Sequence, residues 1–298
     1  MREHPVEPRA QPGFWRWVDR LERLIYRHGW PARLARRLGH RPVVRVVEHA
    51  IELSGRVPEA RALTVAFASD FHAGPTTSPE LLRQAAEALE AVRPDVLLLG
   101  GDFVSLDVGQ IDWLAPLLGR IRAPLGRFAV LGNHDHWNGP GRIVRALEAA
   151  GIEVLTNRNR RLAPPFENVW ICGLDDFVSG APDARLALAG ADGARIVLMH
   201  APGNLTNLEG EQFDLALCGR THGGQLALPG GMPITVAPGP LSRVYSRGRF
   251  PLACGGTLLV TVGLGCSTVP LRINSPPEIL LCRIGTRSAA ANQSREKI

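Results

Sequence analysis

The stretch Phe128-Ala129-Val130-Leu131-Gly132-Asn133-His134-Asp135 decides how the rest of the chain is read. Its apolar half is short enough for a buried strand, and its polar half sets an amide, an imidazole and a carboxylate at the strand's end. The arrangement recurs along the chain. Val65 to Ser69 leads into Asp70-Phe71-His72, Val96 to Leu99 into Gly100-Gly101-Asp102, and Ile196 to Met199 into His200. Leu215 to Cys218 leads into Gly219-Arg220-Thr221-His222-Gly223-Gly224-Gln225. Five apolar runs thus deliver oxygen and nitrogen donors to the edge where open α/β sheets keep their ligands.

The 298 residues suffice for one large core or two modest ones, and 45% hydrophobic with 21% charged residues fits a soluble globular protein. The charge is unevenly placed. Residues 1 to 61 hold 13 Arg against 7 acidic residues, while the 21 basic and 21 acidic residues that follow cancel. The five cysteines form no CxxC pair and sit mostly in apolar runs, which argues against a disulfide framework and for a reducing compartment. The N-terminus lacks the apolar core of a secretory signal, and the uncharged run Thr221 to Ser242 is broken by Pro and Gly. The expectation is a cytoplasmic protein, soluble or peripheral on the inner face of the membrane.

Residues 1 to 12 read as a loose tail. From Phe14 to His28, Phe14, Trp17, Val18, Leu21, Leu24, Ile25 and His28 keep helical spacing, with Arg16, Arg20, Arg23 and Arg27 opposite. A shorter basic stretch follows at Arg33 to Leu38. Two readings stand for this segment: an amphipathic helix on an anionic membrane surface through residues 13–40, or a helix whose apolar face packs on the main domain. Val43 to Leu53 is read as another helix. Strands and helices then alternate. Helices are expected from Ser78 to Pro94, at Ile111 to Leu118, at Gly141 to Ala150 and at Asp183 to Ala189. Strands are expected at Val96 to Leu99, Phe128 to Leu131, Ile152 to Leu155, Val169 to Cys172, Arg195 to Met199 and Phe213 to Cys218. Beyond His222 only strands are expected, at Ile234 to Ala237, Thr257 to Val262 and Ile279 to Arg283. An α/β half followed by a β-rich half predicts two sheets packed face to face with helices outside.

The ordered set Asp-x-His, Gly-Asp, Gly-Asn-His-Asp, His and His resembles the calcineurin-like metallophosphoesterases over Leu63 to Arg283. The tail Gly263-Leu264-Gly265 through Pro270-Leu271-Arg272 to Pro276-Pro277-Glu278-Ile279 resembles a bacterial, phosphodiesterase-like subgroup. The resemblance implies an α/β fold, a four-layer αββα sandwich of two mixed sheets. With the residue reading of the two ends, the chain divides into a basic amphipathic segment at 1–60, a metallophosphoesterase domain at 61–285 and a polar tail at 286–298. Carried over by position, Asp70, His72 and His222 bind one divalent ion, Asp102 bridges, and Asn133 and His200 bind a second. His134 faces the scissile phosphate, with Asp135 orienting it. Such donors suit Mn, Fe or Zn, and two ions ~3.5–4 Å apart can activate one water between them.

One position departs from the resemblance. The family shows Gly-His-x-His where this chain has Gly219-Arg220-Thr221-His222. A guanidinium has no lone pair to give a metal. Three outcomes stay open: a second ion held by fewer ligands, Arg220 binding a substrate phosphate, or a mononuclear or inactive site. The expected reaction is hydrolysis of a phosphodiester or pyrophosphate by metal-activated water, on a lipid-linked or nucleotide-sugar substrate. The alternatives are a nuclease, disfavoured because the catalytic region's charges cancel, and a non-catalytic phosphate-binding module.

Overall fold

Apolar runs bounded by Gly, Pro and Asp become strands here, and the runs with helical spacing become the layers that cover them. The computed structural model describes residues 13–26, 29–39, 41–53, 57–58 and 61–285. The chain runs α1 (Gly13–Ile25), α2 (Trp30–Arg37), β1 (Arg45–Glu52), β2 (Leu63–Ala68), α3 (Pro79–Ala91), β3 (Val96–Leu99) and α4 (Ile111–Gly119). There follow β4 (Arg127–Ala129), α5 (Asn133–Asn138), α6 (Pro140–Ala149), β5 (Glu153–Val154), β6 (Arg158–Arg161), β7 (Val169–Gly173) and α7 (Ala184–Leu188). The last elements are β8 (Ala194–Leu198), β9 (Leu215–Cys218), β10 (Gly248–Pro251), β11 (Thr257–Val260) and β12 (Glu278–Gly285).

Two mixed sheets result. One has the order β1-β12-β2-β3-β4-β5, parallel except where β12 meets β2; the other has the order β10-β11-β9-β8-β7-β6, antiparallel only in its two outermost pairs. Alternation along each strand sorts the side chains into layers. Val65, Phe67, Leu98 and Phe128 meet Ile171, Ile196, Leu215 and Leu217 between the sheets. Ala66, Leu97, Leu99 and Ala129 face outward against Leu82 and Leu89 of α3, Leu114 of α4 and Leu147 of α6. Val197, Ala216 and Cys218 pack with Ala184 and Leu188 of α7. This is the expected four-layer αββα sandwich. Each buried Leu, Ile, Val or Phe contributes roughly 1.5–3 kcal/mol, and the three layers of contact hold the strand ends in register.

Local signals explain several boundaries. Ser78 Oγ accepts from Leu81 N at 3.2 Å and Pro79 opens α3, the expected cap. The helix expected at Val43 to Leu53 is instead strand β1, in parallel register with β12 from Arg45↔Glu278 onward. Four valines in this segment (Val43, Val44, Val46, Val47) favour the extended chain, and Val47, His49 and Ile51 alternate towards the protein. The strand expected at Ile234 to Ala237 does not form; that segment is irregular. Two edge strands, β6 (Arg-Asn-Arg-Arg) and β10, had no apolar run to announce them. The five cysteines are free, and Cys172, Cys218, Cys266 and Cys282 are buried.

The described side chains on the apolar face of α1 are not absorbed by the domain. Trp17 is 60% and Leu24 68% exposed, and Leu21 and Ile25 are exposed beside them. The core-packing reading therefore fails for these four side chains. Residues 1–12, Arg27, His28 and 286–298 lie outside the described residues, as do the side chains of Phe14, Trp15, Arg16, Val18 and Arg23. Among the described residues no helix is long and apolar enough to cross a membrane.

Candidate metal centre

The C-terminal ends of β2, β3 and β4 in one sheet and of β8 and β9 in the other open onto the same place. Asp70 and His72 follow β2, Asp102 follows β3, Asn133 and His134 follow β4, His200 follows β8, and Arg220 and His222 follow β9. Among the described residues three ligand groups form: Asp70 with His72 and His222, Asp70 with Asp102 and His200, and His72 with Asp102 and His134. Within each group the candidate ligand atoms lie within 4.8 Å of one another. Every residue singled out from the sequence is thus at one locus.

The turns that deliver them are strained. Asp70 (φ 56°), His72 (φ 44°), Asp102 (φ 53°), Arg220 (φ 67°) and His222 (φ 53°) all adopt left-handed backbone, uncommon for residues with a Cβ. Two glycines let the turns approach. A Cβ on Gly132 would lie 2.2 Å from Asp102 Oδ1, and one on Gly219 2.1 Å from Asp70 Oδ2. Asp135 ties two of the turns together: its carboxylate accepts from Gly132 N (2.9 Å), Asp102 N (2.8 Å) and Phe103 N (2.9 Å). This corrects the expectation that Asp135 orients the ring of His134. That ring is held instead by Ser105 O, 3.3 Å from Nδ1, and lies edge-on to His72 with centroids 4.8 Å apart.

On one side of Asp102 the donors converge. His72 Nε2 is 3.1 Å from His222 Nε2 and 3.4 Å from Asp102 Oδ2, and His222 Nε2 is 3.4 Å from Asp70 Oδ1. Burial drags His72 down to about 3 and His222 well below the usual imidazole range, so both rings are neutral at pH 7. Ser105 Oγ faces His72 Nδ1 at 3.3 Å while donating to His72 O, which leaves the Nε2 lone pair of His72 inward. His222 differs. Its Nδ1 lies 3.1 Å from Nη2 of the buried Arg272, a donor, so its ring proton sits on Nε2, facing His72 Nε2, and would have to leave that nitrogen for a cation to bind there. Asp70, His72, Asp102 and His222 fit a divalent ion by chemistry and spacing.

The other side is arranged differently. His200 Nδ1 pairs with Gly100 O at 2.8 Å, and its buried Nε2, 3.4 Å from Asp102 Oδ2, has no hydrogen-bond partner. Burial lowers the pKa of His200, but the carboxylates of Asp102 and Asp70 lift it to about 10. Burial likewise raises Asp102, yet His200 outweighs it and holds that carboxylate well below its usual range. Both directions mark a place beside Asp102 that calls for positive charge. Asn133 Oδ1, however, accepts from Arg220 Nη1, and Arg220 Nη2 donates to Pro238 O at 3.0 Å. A guanidinium therefore lies across the donors that a second ion would use.

A cleft of about 540 Å³ opens over these groups. His72, Asp102, Asn133, His134, Arg220 and His222 line its polar part; Trp137, Val178, Leu226, Val236 and Val269 line its apolar part. Glu22 of α1 reaches its wall. Sequence reasoning missed Arg272 as part of the site. Its guanidinium bonds Gly265 O and Ser275 O as well as facing His222, and the Pro-Leu-Arg stretch in an otherwise uncharged loop was the available signal.

Comparison with known proteins agrees with this geometry. The family model for the calcineurin-like phosphoesterases matches residues 63–222, which hold every candidate ligand. A metallophosphoesterase of Aquifex aeolicus (strain VF5), named as uncharacterized, is 31% identical over 252 residues, covering 81% of this chain and 92% of its own. The phosphodiesterase YaeI of Escherichia coli (strain K12) is 32% identical over 233 residues, covering 76% and 83%. A transmembrane protein with metallophosphoesterase domain from Danio rerio is 30% identical over 254 residues, covering 80% of this chain and 56% of its own. With its strand-end carboxylates and imidazoles gathered over one cleft, this chain belongs to the calcineurin-like phosphoesterases and is a metal-dependent phosphoesterase.

Proposed function

We propose that the protein hydrolyses a phosphodiester or pyrophosphate whose alcohol portion is apolar, presented at an anionic membrane surface. The observation that carries the hydrolytic part is the meeting of Asp70, His72, Asp102 and His222, of which His72, Asp102 and His222 line the cleft with Asp70 buried beside them. These four hold a divalent ion, for which Mn, Fe and Zn suit the oxygen and imidazole donors. Such an ion lowers the pKa of water from about 16 towards 7 and neutralises charge on phosphoryl oxygens.

The chain's own residues do the rest. His134, with Nδ1 facing Ser105 O, turns Nε2 towards the cleft and donates a proton to the leaving oxygen. Asp102 presents one oxygen to the ligand group while its Oδ1 accepts from His134 N at 2.9 Å, fixing the distance between metal site and acid. Arg220, on the cleft wall, grips a non-bridging phosphoryl oxygen. The apolar wall formed by Trp137, Val178, Leu226, Val236 and Val269 excludes water from one side of the substrate and favours an aliphatic group.

The membrane part rests on α1. Its exposed Trp17, Leu21, Leu24 and Ile25, with the exposed Arg20 of α1 and Arg33, Arg36 and Arg37 of α2, supply the apolar and basic faces of an interfacial segment. The zebrafish relative is by its name a transmembrane protein, which places one member of the family at a bilayer.

The test is hydrolysis of bis(p-nitrophenyl) phosphate by the full chain with Mn2+, repeated after chelation and in the presence of vesicles. Turnover that needs the ion is expected. No turnover with Mn2+, Fe2+ or Zn2+ would remove the hydrolytic reading and leave a phosphate-binding protein.

A further inference from the structure

We infer that the guanidinium of Arg220 is a built-in second cation, and that this phosphoesterase works with a single divalent ion. The inference rests on the metal-site reading above and narrows it.

The placement of Arg220 is set by its main chain. Its backbone N donates to both oxygens of Asp70, at 3.1 and 2.9 Å, so residue 220 is fastened to the ligand group itself. Left-handed backbone (φ 67°) at a residue with a Cβ fixes the direction in which the side chain leaves. The side chain then runs to Asn133 Oδ1 and Pro238 O, and the residue is 8% exposed. These are bonds to groups in two other segments, so the guanidinium is held rather than swinging.

Two consequences follow for a second ion. The amide oxygen of Asn133 is already engaged by an N–H, and a guanidinium offers five N–H groups but no lone pair. Among the described residues, His200 Nε2 and Asp102 Oδ2 remain on that side, and the third member of their cluster, Asp70, is already part of the first ligand group. A divalent ion there would also stand beside a permanent positive charge, in a buried place where repulsion is poorly screened. The donor set therefore does not fit a second divalent ion.

It fits a phosphoryl group. Arg220 lines the same cleft as His72 and His222, and its two hydrogen bonds leave N–H groups over for a phosphoryl oxygen. A planar fork meets phosphate with directed bonds, which a metal ion does not. The phosphoryl group is then held between one metal ion and one guanidinium.

The experiment counts metal rather than activity. Apo protein, Arg220→His and Arg220→Ala are titrated with Mn2+ by calorimetry, with the Mn(II) electron paramagnetic resonance spectrum recorded at saturation. One ion per chain with an uncoupled Mn(II) spectrum is expected for the parent, and two ions with an exchange-coupled spectrum for Arg220→His; Arg220→Ala, which removes the guanidinium and frees Asn133 without adding a ligand, is expected to admit a second ion more weakly than Arg220→His. The alanine variant shows that the first site survives loss of the side chain. Two tightly bound, coupled ions in the parent would overturn the inference while leaving the metal site standing. No bound Mn2+, Fe2+ or Zn2+ in the parent would overturn both. A single ion in Arg220→His, with the first site intact, would also overturn it, because the guanidinium would then not be what keeps the second ion out.

Discussion

The two sides of Asp102 are built from similar strand ends and have opposite chemistry. Towards Asp70, buried imidazoles kept neutral by desolvation aim at two carboxylates, an arrangement that leaves attraction for a cation unsatisfied. Towards Asn133, the protein supplies a guanidinium of its own. The same two-sheet frame thus serves both sides, and one side chain at position 220 decides which of them has room for a metal. On the single-ion proposal, the residue at one strand end, and not the fold, sets the number of ions.

Three experiments test that asymmetry. The largest effect belongs to the residue both sides share. Asp102→Ala removes a carboxylate that faces His72 and His200 and braces His134 N, so turnover of bis(p-nitrophenyl) phosphate should fall to background and Mn2+ affinity with it. Retained affinity would mean that the ion sits elsewhere. Next, His134→Ala should lower kcat by ~10²–10⁴, the usual weight of a positioned acid, while calorimetry still finds the ion bound. If metal binding fails along with turnover, His134 belongs to the ligand group with which it clusters and not to the substrate. The smallest effect concerns the exposed helix. Trp17→Ser should weaken co-sedimentation with phosphatidylglycerol vesicles roughly ten- to a hundredfold, as burial of one large apolar side chain contributes roughly 1.5–3 kcal/mol, with hydrolysis of a soluble substrate unchanged. Equal sedimentation of parent and variant would detach α1 from any lipid surface.

How much was legible depended on what carried the signal. The ligand tips could be read because each sits where an apolar run stops, and the run reports the strand as clearly as the polar residue reports the site. Segments without that contrast misled. Val43 to Leu53 mixes charged and β-branched residues and suggests another helix before the first strand, yet its register is set by β12, more than two hundred residues later in sequence. Arg158 to Arg161 has no apolar run, because an edge strand of this kind keeps most of its side chains in water. Ile234 to Ala237 has the composition of a strand but is joined to a neighbour at its start, where Ile234 N donates to Leu226 O at 3.0 Å, and from Thr235 on it is irregular and lines the cleft. Within the site, identity was legible and contact was not. Nothing in Gly-Asn-His-Asp tells that the final carboxylate bonds the backbone of Asp102 and Phe103 instead of the neighbouring imidazole. Arg272 lies fifty residues from the histidine it touches.

The left-handed turns at Asp70, His72, Asp102, Arg220 and His222 have a consequence beyond geometry. Such a conformation costs roughly 1–3 kcal/mol at each residue, and only glycine adopts it freely. At these five positions the replacement that most relaxes the backbone is also the one that deletes the working side chain. Selection for heat resistance and selection for turnover therefore pull against each other at the strand tips, and the two buried sheets supply the surplus that lets the second prevail.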